Sequence, residues 1–214
     1  MTTAIKFCGI ARREDVRMAA ELGASYVGAI FAESRRRVTP AEAADMWTAA
    51  GSMKKVGVFG AAPVEEILDA AAVSGLDVIQ LHASPGDGTI DQLRAGFRGA
   101  IWSVIRIGEA GVVEIAGESA AADAILVDSF AESGLGGTGR AFDWEREASA
   151  IRRLTREQPL IVAGGLDPDN VGAAITALAP DVVDVSSGVE SSPGVKDHDR
   201  MRAFARAVEL ANGR

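Results

Sequence analysis

The sequence predicts a single-domain (β/α)8 barrel, the TIM-barrel class, over residues 1–214. Three observations carry that prediction. Eight short β-rich runs recur along the chain, and several are almost continuously apolar, as parallel strands covered on both faces must be. Alanine-rich stretches of helical period alternate with them. The length suits one compact barrel, and no linker, charge block or low-complexity tract divides it. A doubly wound open sheet is the runner-up for the same alternation. Beyond that alternation the sequence shows no clear residue-level repeat.

The first strand is AIKFC (4–8), where Lys6 and Cys8 share one face and Ile5 and Phe7 the other. REDVRMAAEL supplies the first helix. SYVGAIF (25–31) is the second strand, and the helix PAEAADMWTAA after it opens on Pro40 with Thr39 as cap. KKVGVFG (54–60) leads into PVEEILDAAAV, with Pro63 in the first turn. DVIQLH (77–82), AIWSVIRI (100–107) and DAILVD (123–128) are the next three strands. PLIVAGG (159–165) precedes a helix that Asp167 and Pro168 should start, and DVVDVSS (181–187) is the eighth strand. A helix is expected after every strand, and Trp47 and Trp102 read as packing residues.

An apolar share of 48% is ample for a core. The net charge of -8 argues against general nucleic-acid binding or adhesion to anionic membranes. A lone cysteine cannot form an internal disulfide, and no apolar run reaches the roughly 18 residues a membrane span needs. The start of the chain lacks signal-peptide features. A cytoplasmic protein without membrane or nucleic-acid partners is expected.

In a barrel the carboxyl ends of the strands form the working face. Cys8, the single cysteine, ends the first strand there. A free cysteine is usually a small buried hydrophobe, but this position makes it a candidate reactive group. Asp128 ends the sixth strand and is followed by SFAESGLGGTGRAFDW, a glycine-rich loop suited to folding over a ligand. Its GLGGTG matches a dinucleotide fingerprint only literally, because five residues separate Asp128 from Gly134. The seventh and eighth strands run into VAGGLDPDNV and DVSSGVESSPG. Gly164 and Gly165 permit close approach to backbone amides, and Ser186, Ser187 and Gly188 offer hydroxyl and amide donors. A phosphate between these last two loops is the expectation. In SRRRV (34–38) one arginine reaching the mouth can hold a carboxylate in bidentate fashion. His82, ending the fourth strand, is placed to line the site, whereas His198 falls near the last helix start. No His, Cys and carboxylate cluster has metal-ligand spacing, so no metal and no cofactor are expected.

With those positions in place, KFCGI, VGVF, IQLH, GGTGRAFDW, AGGLDPDNV and DVSSGVESSPGVKD appear in order from residue 6 to residue 197. The ordered set closely resembles the phosphoribosylanthranilate isomerase family of tryptophan biosynthesis. The resemblance implies a metal-free, cofactor-free barrel, a monomer or homodimer, acting on a small sugar-phosphate substrate. Its reaction is the Amadori rearrangement of N-(5-phosphoribosyl)anthranilate to 1-(2-carboxyphenylamino)-1-deoxyribulose 5-phosphate. It also implies Cys8 as general base, Asp128 as general acid and Arg36 beside the anthranilate carboxylate. Gln80 and Asp184 would help line the sugar and aryl site. The chain departs from the family at Ala11, where threonine is common, at Arg37, where an aromatic is common, and at Ala83, where glycine is usual. Arg37 leaves two candidates for the carboxylate. A thiol acts as base only as thiolate, which the Lys6 ammonium would favour. Rival readings are a metal-dependent sugar-phosphate epimerase, poor in histidines here, a non-catalytic sugar-phosphate binder, and a bifunctional isomerase, which typically pairs two aspartates.

Overall fold

The computed structural model describes residues 2–83, 86, 88–108, 111–112, 121–129, 143–155 and 158–213. In chain order these form β1 (Ala4–Phe7), α1 (Arg13–Glu21), β2 (Tyr26–Ile30), α2 (Pro40–Met46), β3 (Lys54–Phe59) and α3 (Val64–Ser74). They continue with β4 (Val78–Leu81), α4 (Thr89–Gly96), β5 (Ala100–Gly108), β6 (Gly111–Val112), β7 (Ala124–Ser129) and α5 (Trp144–Leu154). The remainder is β8 (Leu160–Val162), α6 (Val171–Leu178), β9 (Val182–Val185), β10 (Glu190–Ser192), β11 (Val195–Lys196) and α7 (His198–Ala211).

Eight strands pair in parallel in the order β1-β2-β3-β4-β5-β7-β8-β9, and the β1–β9 pairing closes the ring. Closure leaves no strand edge open, which rules out the doubly wound sheet. The fifth unit departs from expectation. After β5 the chain returns antiparallel as β6, Ile107 opposite Val112, so the described residues hold seven α-helices for eight barrel strands.

Local chemistry explains most helix starts. The Thr39 hydroxyl accepts from the Glu42 amide while the Glu42 carboxylate accepts from the Thr39 amide, a reciprocal cap with Pro40 behind it. Pro63 sits one place earlier than expected, at the cap itself. α6 begins at Val171, later than Asp167 and Pro168 suggest. Asp167 spends its carboxylate on the amides of Asp169 and Asn170, making a separate turn first.

Period-two alternation divides the apolar residues into two layers. Phe7, Ile79, Ile101, Ile125 and Val183 face outward and meet Val16, Leu93, Ile151 and Phe204 of the helices. Val56, Val78, Trp102, Ala124, Leu126 and Val182 fill the barrel, where Trp102 meets Tyr26 edge-on at 5.0 Å. Trp47 is buried in the outer layer. Along each strand the inward positions then change character: Ala4 to Lys6 to Cys8, Val78 to Gln80 to His82, Ala124 to Leu126 to Asp128, Val182 to Asp184 to Ser186. One end of the barrel is an apolar plug and the other a polar mouth.

A residue-level repeat absent from the sequence reading holds the plugged end. Asp77, Asp123 and Asp181 each stand just before a strand, and their carboxylates accept the amides of Lys55, Ile101 and Leu160 at 2.9, 2.7 and 2.8 Å. Each aspartate's own amide donates to the carbonyl of that same residue. Ser25 occupies the fourth equivalent position, its amide donating to the Ile5 carbonyl. The pattern recurs at every second barrel strand.

Candidate active site

At the mouth, Lys6 and Cys8 point inward from β1. Lys6 is fully buried, and its Nζ donates to Asp184 Oδ2 at 2.7 Å from the register-paired position on β9. Burial opposes the Lys6 charge, yet Asp184 and Cys8 outweigh it and hold the ammonium above its ordinary value. Gly28 on β2 makes the room: a Cβ there would stand 3.2 Å from Cys8 Sγ and 3.3 Å from Lys6 Nζ. Burial pushes the Cys8 thiol up, and Asp184 adds to this. Lys6 and Lys196 pull it down, and burial prevails. Lys6 thus favours the thiolate, as expected, but its charge is largely answered by Asp184 and does not bring the thiol below its ordinary range.

Asp128 is the penultimate residue of β7, beside the turn that follows β8. A Cβ on Gly164, whose φ is +84°, would strike the Ser129 amide and come within 2.6 Å of Asp128 Oδ1, so only glycine lets the two strand ends meet. Burial and the charge of Asp184 raise Asp128 from 3.8 to about 6, against Arg106, the Ser129 amide and Lys6. The neighbouring His82 is lowered from 6.5 to about 4 by burial, Arg106 and Lys6. Its Nε2 stands 3.8 Å from Asp128 Oδ2, outside hydrogen-bond range, so a neutral imidazole faces a carboxyl that holds its proton unusually well. Among the described residues, Gln80 Oε1, His82 Nδ1 and Asp184 Oδ1 are buried without a hydrogen-bond partner. Three such atoms in one mouth mark a place for a polar ligand.

The loops after β8 and β9 lie against one another. A Cβ on Gly188 would run into the Leu166 carbonyl, so the two backbones touch there. Gly165 has φ +67°, and the Asn170 amide group donates to its carbonyl at 2.8 Å. Ser187–Val189 form a short 3-10 turn. Gly164, Gly165, Ser186, Ser187 and Gly188 are therefore brought together.

Arg36 is near the same rim, since a Cβ on Gly9 would be 2.8 Å from both Arg36 Cδ and Ser186 Oγ. Arg37 is exposed, which separates the two candidates. Arg36 is already engaged: its Nε and Nη2 donate to the Glu190 carboxylate at 2.9 and 2.7 Å. Lys196 donates to the same carboxylate at 2.9 Å. Glu190, Lys196 and Arg106 are site-region charges the sequence reading missed. Glu190 and Lys196 lie in the same segment as the phosphate loop, and the Pro193–Gly194 turn between them, which folds them opposite one another on the β10–β11 hairpin, was the available signal. The glycine-rich loop after Asp128 falls outside the described residues. Among the described residues no group of three His, Cys, Asp or Glu could hold a metal ion, and no helix is long and apolar enough to cross a membrane.

Fold and mouth together define a (β/α)8-barrel protein built to work at the carboxyl ends of its strands, with a raised carboxyl, a lone thiol and two abutting glycine loops. The family model described as N-(5'phosphoribosyl)anthranilate (PRA) isomerase matches residues 5–207, and the chain belongs to that family. The N-(5'-phosphoribosyl)anthranilate isomerase of Caldanaerobacter subterraneus subsp. tengcongensis is 40% identical over 205 residues, covering 95% of this chain and 97% of the relative. That of Stenotrophomonas maltophilia is 41% identical over 217 residues, covering 98% and 94%. Among solved structures, monomers of the dimeric Thermotoga maritima isomerase superpose with a TM-score of 0.85 at 32% identity, covering 98% of this chain and 100% of that one. A phosphoribosyl anthranilate isomerase in complex with reduced 1-(o-carboxyphenylamino)-1-deoxyribulose 5-phosphate gives 0.80 at 30%, with 98% and 100% covered.

Proposed function

We propose that this chain is a cytoplasmic isomerase of tryptophan biosynthesis that converts N-(5-phosphoribosyl)anthranilate to 1-(2-carboxyphenylamino)-1-deoxyribulose 5-phosphate by general acid–base catalysis. Family membership supports the reaction. The carrying observation for the mechanism is Asp128, a largely desolvated carboxyl that holds its proton to about pH 6, in the same mouth as the inward-facing, buried Cys8. β8 and β9 separate their strands in the ring, so the two groups approach a ligand from different sides.

Asp128 donates its proton to the furanose oxygen, and the ring opens as the aryl nitrogen forms an iminium. The Cys8 thiolate removes the proton from the adjacent sugar carbon, and the enolamine tautomerises to the ketone. A thiolate of high basicity is scarce but a strong proton acceptor. Its neighbours Lys6 and Lys196 supply the positive charge it needs. Gly164, Gly165, Ser186, Ser187 and Gly188 take the phosphate through amides and hydroxyls, Arg36 takes the anthranilate carboxylate, and Gln80, His82 and Asp184 line the middle.

The test offers purified protein fresh N-(5-phosphoribosyl)anthranilate after exhaustive chelation and follows substrate loss. Turnover without added metal is expected. Activity that appears only with a divalent ion would support the epimerase-like rival instead.

A further inference from the structure

Arg36 should be available to a carboxylate, yet the structure shows one edge of its guanidinium taken. Nε donates to both Glu190 oxygens, at 2.9 and 3.1 Å, and Nη2 to Oε2 at 2.7 Å. The Glu190 side chain is only 4% exposed, so this fork is a desolvated feature and not a surface pair. A second cation fixes Glu190 in turn: Lys196 Nζ donates to Oε1 at 2.9 Å and to the Ser186 carbonyl at 3.1 Å. The Gly194 amide adds a contact of 3.3 Å. Burial pushes the Glu190 carboxyl up, but Arg36 and Lys196 outweigh it and keep it ionised.

The guanidinium carries five N–H donors in one plane, enough for two carboxylates on two edges. Glu190 occupies the Nε–Nη2 edge. Among the described residues Nη1 has no partner. Two cationic side chains face one carboxylate, which leaves the cluster a positive charge for a second. A long arginine side chain also loses rotamer entropy when it binds, and a fork that already holds its plane removes most of that cost.

We propose that Glu190 is the positioning residue for carboxylate recognition, holding the Arg36 plane by its Nε–Nη2 edge so that the Nη1–Nη2 edge receives the anthranilate carboxylate. The proposal rests on the reading that Arg36 takes that carboxylate. Lys196, which also donates to the Ser186 carbonyl, holds Glu190 itself in place from the other side.

The test measures affinity for two probes: reduced 1-(o-carboxyphenylamino)-1-deoxyribulose 5-phosphate and the same compound without the ring carboxylate. Glu190→Gln should weaken the carboxylated probe about tenfold or more, the range for a charged hydrogen bond. It should leave the other probe and inorganic phosphate unchanged, and raise KM more than it lowers kcat. Glu190→Asp keeps the charge and withdraws the fork by one carbon, so it should show the same selective loss if the glutamine variant does not fold. Adding Glu190→Gln to Arg36→Ala should cost no further discrimination, because Glu190 acts through Arg36. Tighter binding in Glu190→Gln would make Glu190 a competitor and overturn the proposal, as would equal losses for both probes. If Arg36→Ala keeps full discrimination, the Arg36 reading itself falls. If Arg36→Ala loses discrimination and both Glu190 variants keep it, only the positioning role falls.

Discussion

Asp128 is stable as an acid and costly as a base, and its effect on the fold has a definite sign. The unfolded chain ionises it near 3.8 and the native protein near 6, so the native state binds the proton more tightly. Stability therefore falls as pH rises between these values, and a deficit of at most about 3 kcal/mol is complete above 6. Asp128→Asn should abolish turnover while raising the urea midpoint at pH 8, and the gain should shrink as pH falls towards 4. Turnover has its own profile. Below pH 6 each rise makes more Cys8 thiolate while Asp128 stays protonated, so kcat/KM climbs. Above 6 the thiolate gain and the acid loss cancel, and decline waits until beyond the ordinary thiol value of 9.0, above which burial has pushed Cys8. The pH dependence of inorganic phosphate binding separates the ligand's own ionisation. Cys8→Ser should lose about two to four orders of magnitude in kcat, nearly as much as Cys8→Ala, because a hydroxyl does not ionise in this range. Near-normal turnover in either variant would return Cys8 to the packing residues. Both positions were legible because strand period and strand ends suffice to find them. The Arg36–Glu190 fork was not, since it joins residues 154 apart through a fold that had first to close.

At the scale of elements, what could be read was what depends on neighbours in sequence. The reciprocal cap of α2 is written in Thr39, Pro40 and Glu42. The late start of α6 was hidden because Asp167 can cap either a helix or a turn, and the choice falls to Asn170. The aspartate staples were hidden for a different reason: an aspartate before a strand looks like an ordinary turn residue until its amide partner, 21 or 22 residues away, is known. Each staple satisfies the first free amide of the preceding strand, and its side chain is only partly sheltered, so Asp123→Ala should cost about 1–2 kcal/mol in chemical denaturation with little change in turnover. Ser25→Asp should supply the fourth staple to the Ile5 amide and gain up to about 1 kcal/mol. A loss on Ser25→Asp would mean that the repeat ends at three.

At the scale of the whole molecule, the inward residues sort by height, apolar near the strand starts and polar at the strand ends. Much of that gradient was readable, because five of the eight predicted strands end on candidate site residues, at Cys8, His82, Asp128, Gly165 and Ser187. Its coherence was not, since only the register places Lys6 beside Asp184 and Gln80 beside Trp102. We read the chain as one domain, and a barrel closed through β1 and β9 should accordingly unfold in a single transition, with coincident loss of tryptophan and circular-dichroism signals.

The seams between strands are not equally strong. The β1–β2 ladder registers only two residue pairs, Lys6 with Tyr26 and Phe7 with Val27, and Ser25 leaves it without the carboxylate staple found at β3–β4, β5–β7 and β8–β9. Native proteins open first where contacts are fewest, so amide exchange in β1 and β2 should run ahead of exchange in β5 and β7. The missing carboxylate thus makes this seam the barrel's natural point of breathing. Ser25→Asp should close the difference, slowing amide exchange in β1 and β2 towards the rates of β5 and β7 without touching the mouth.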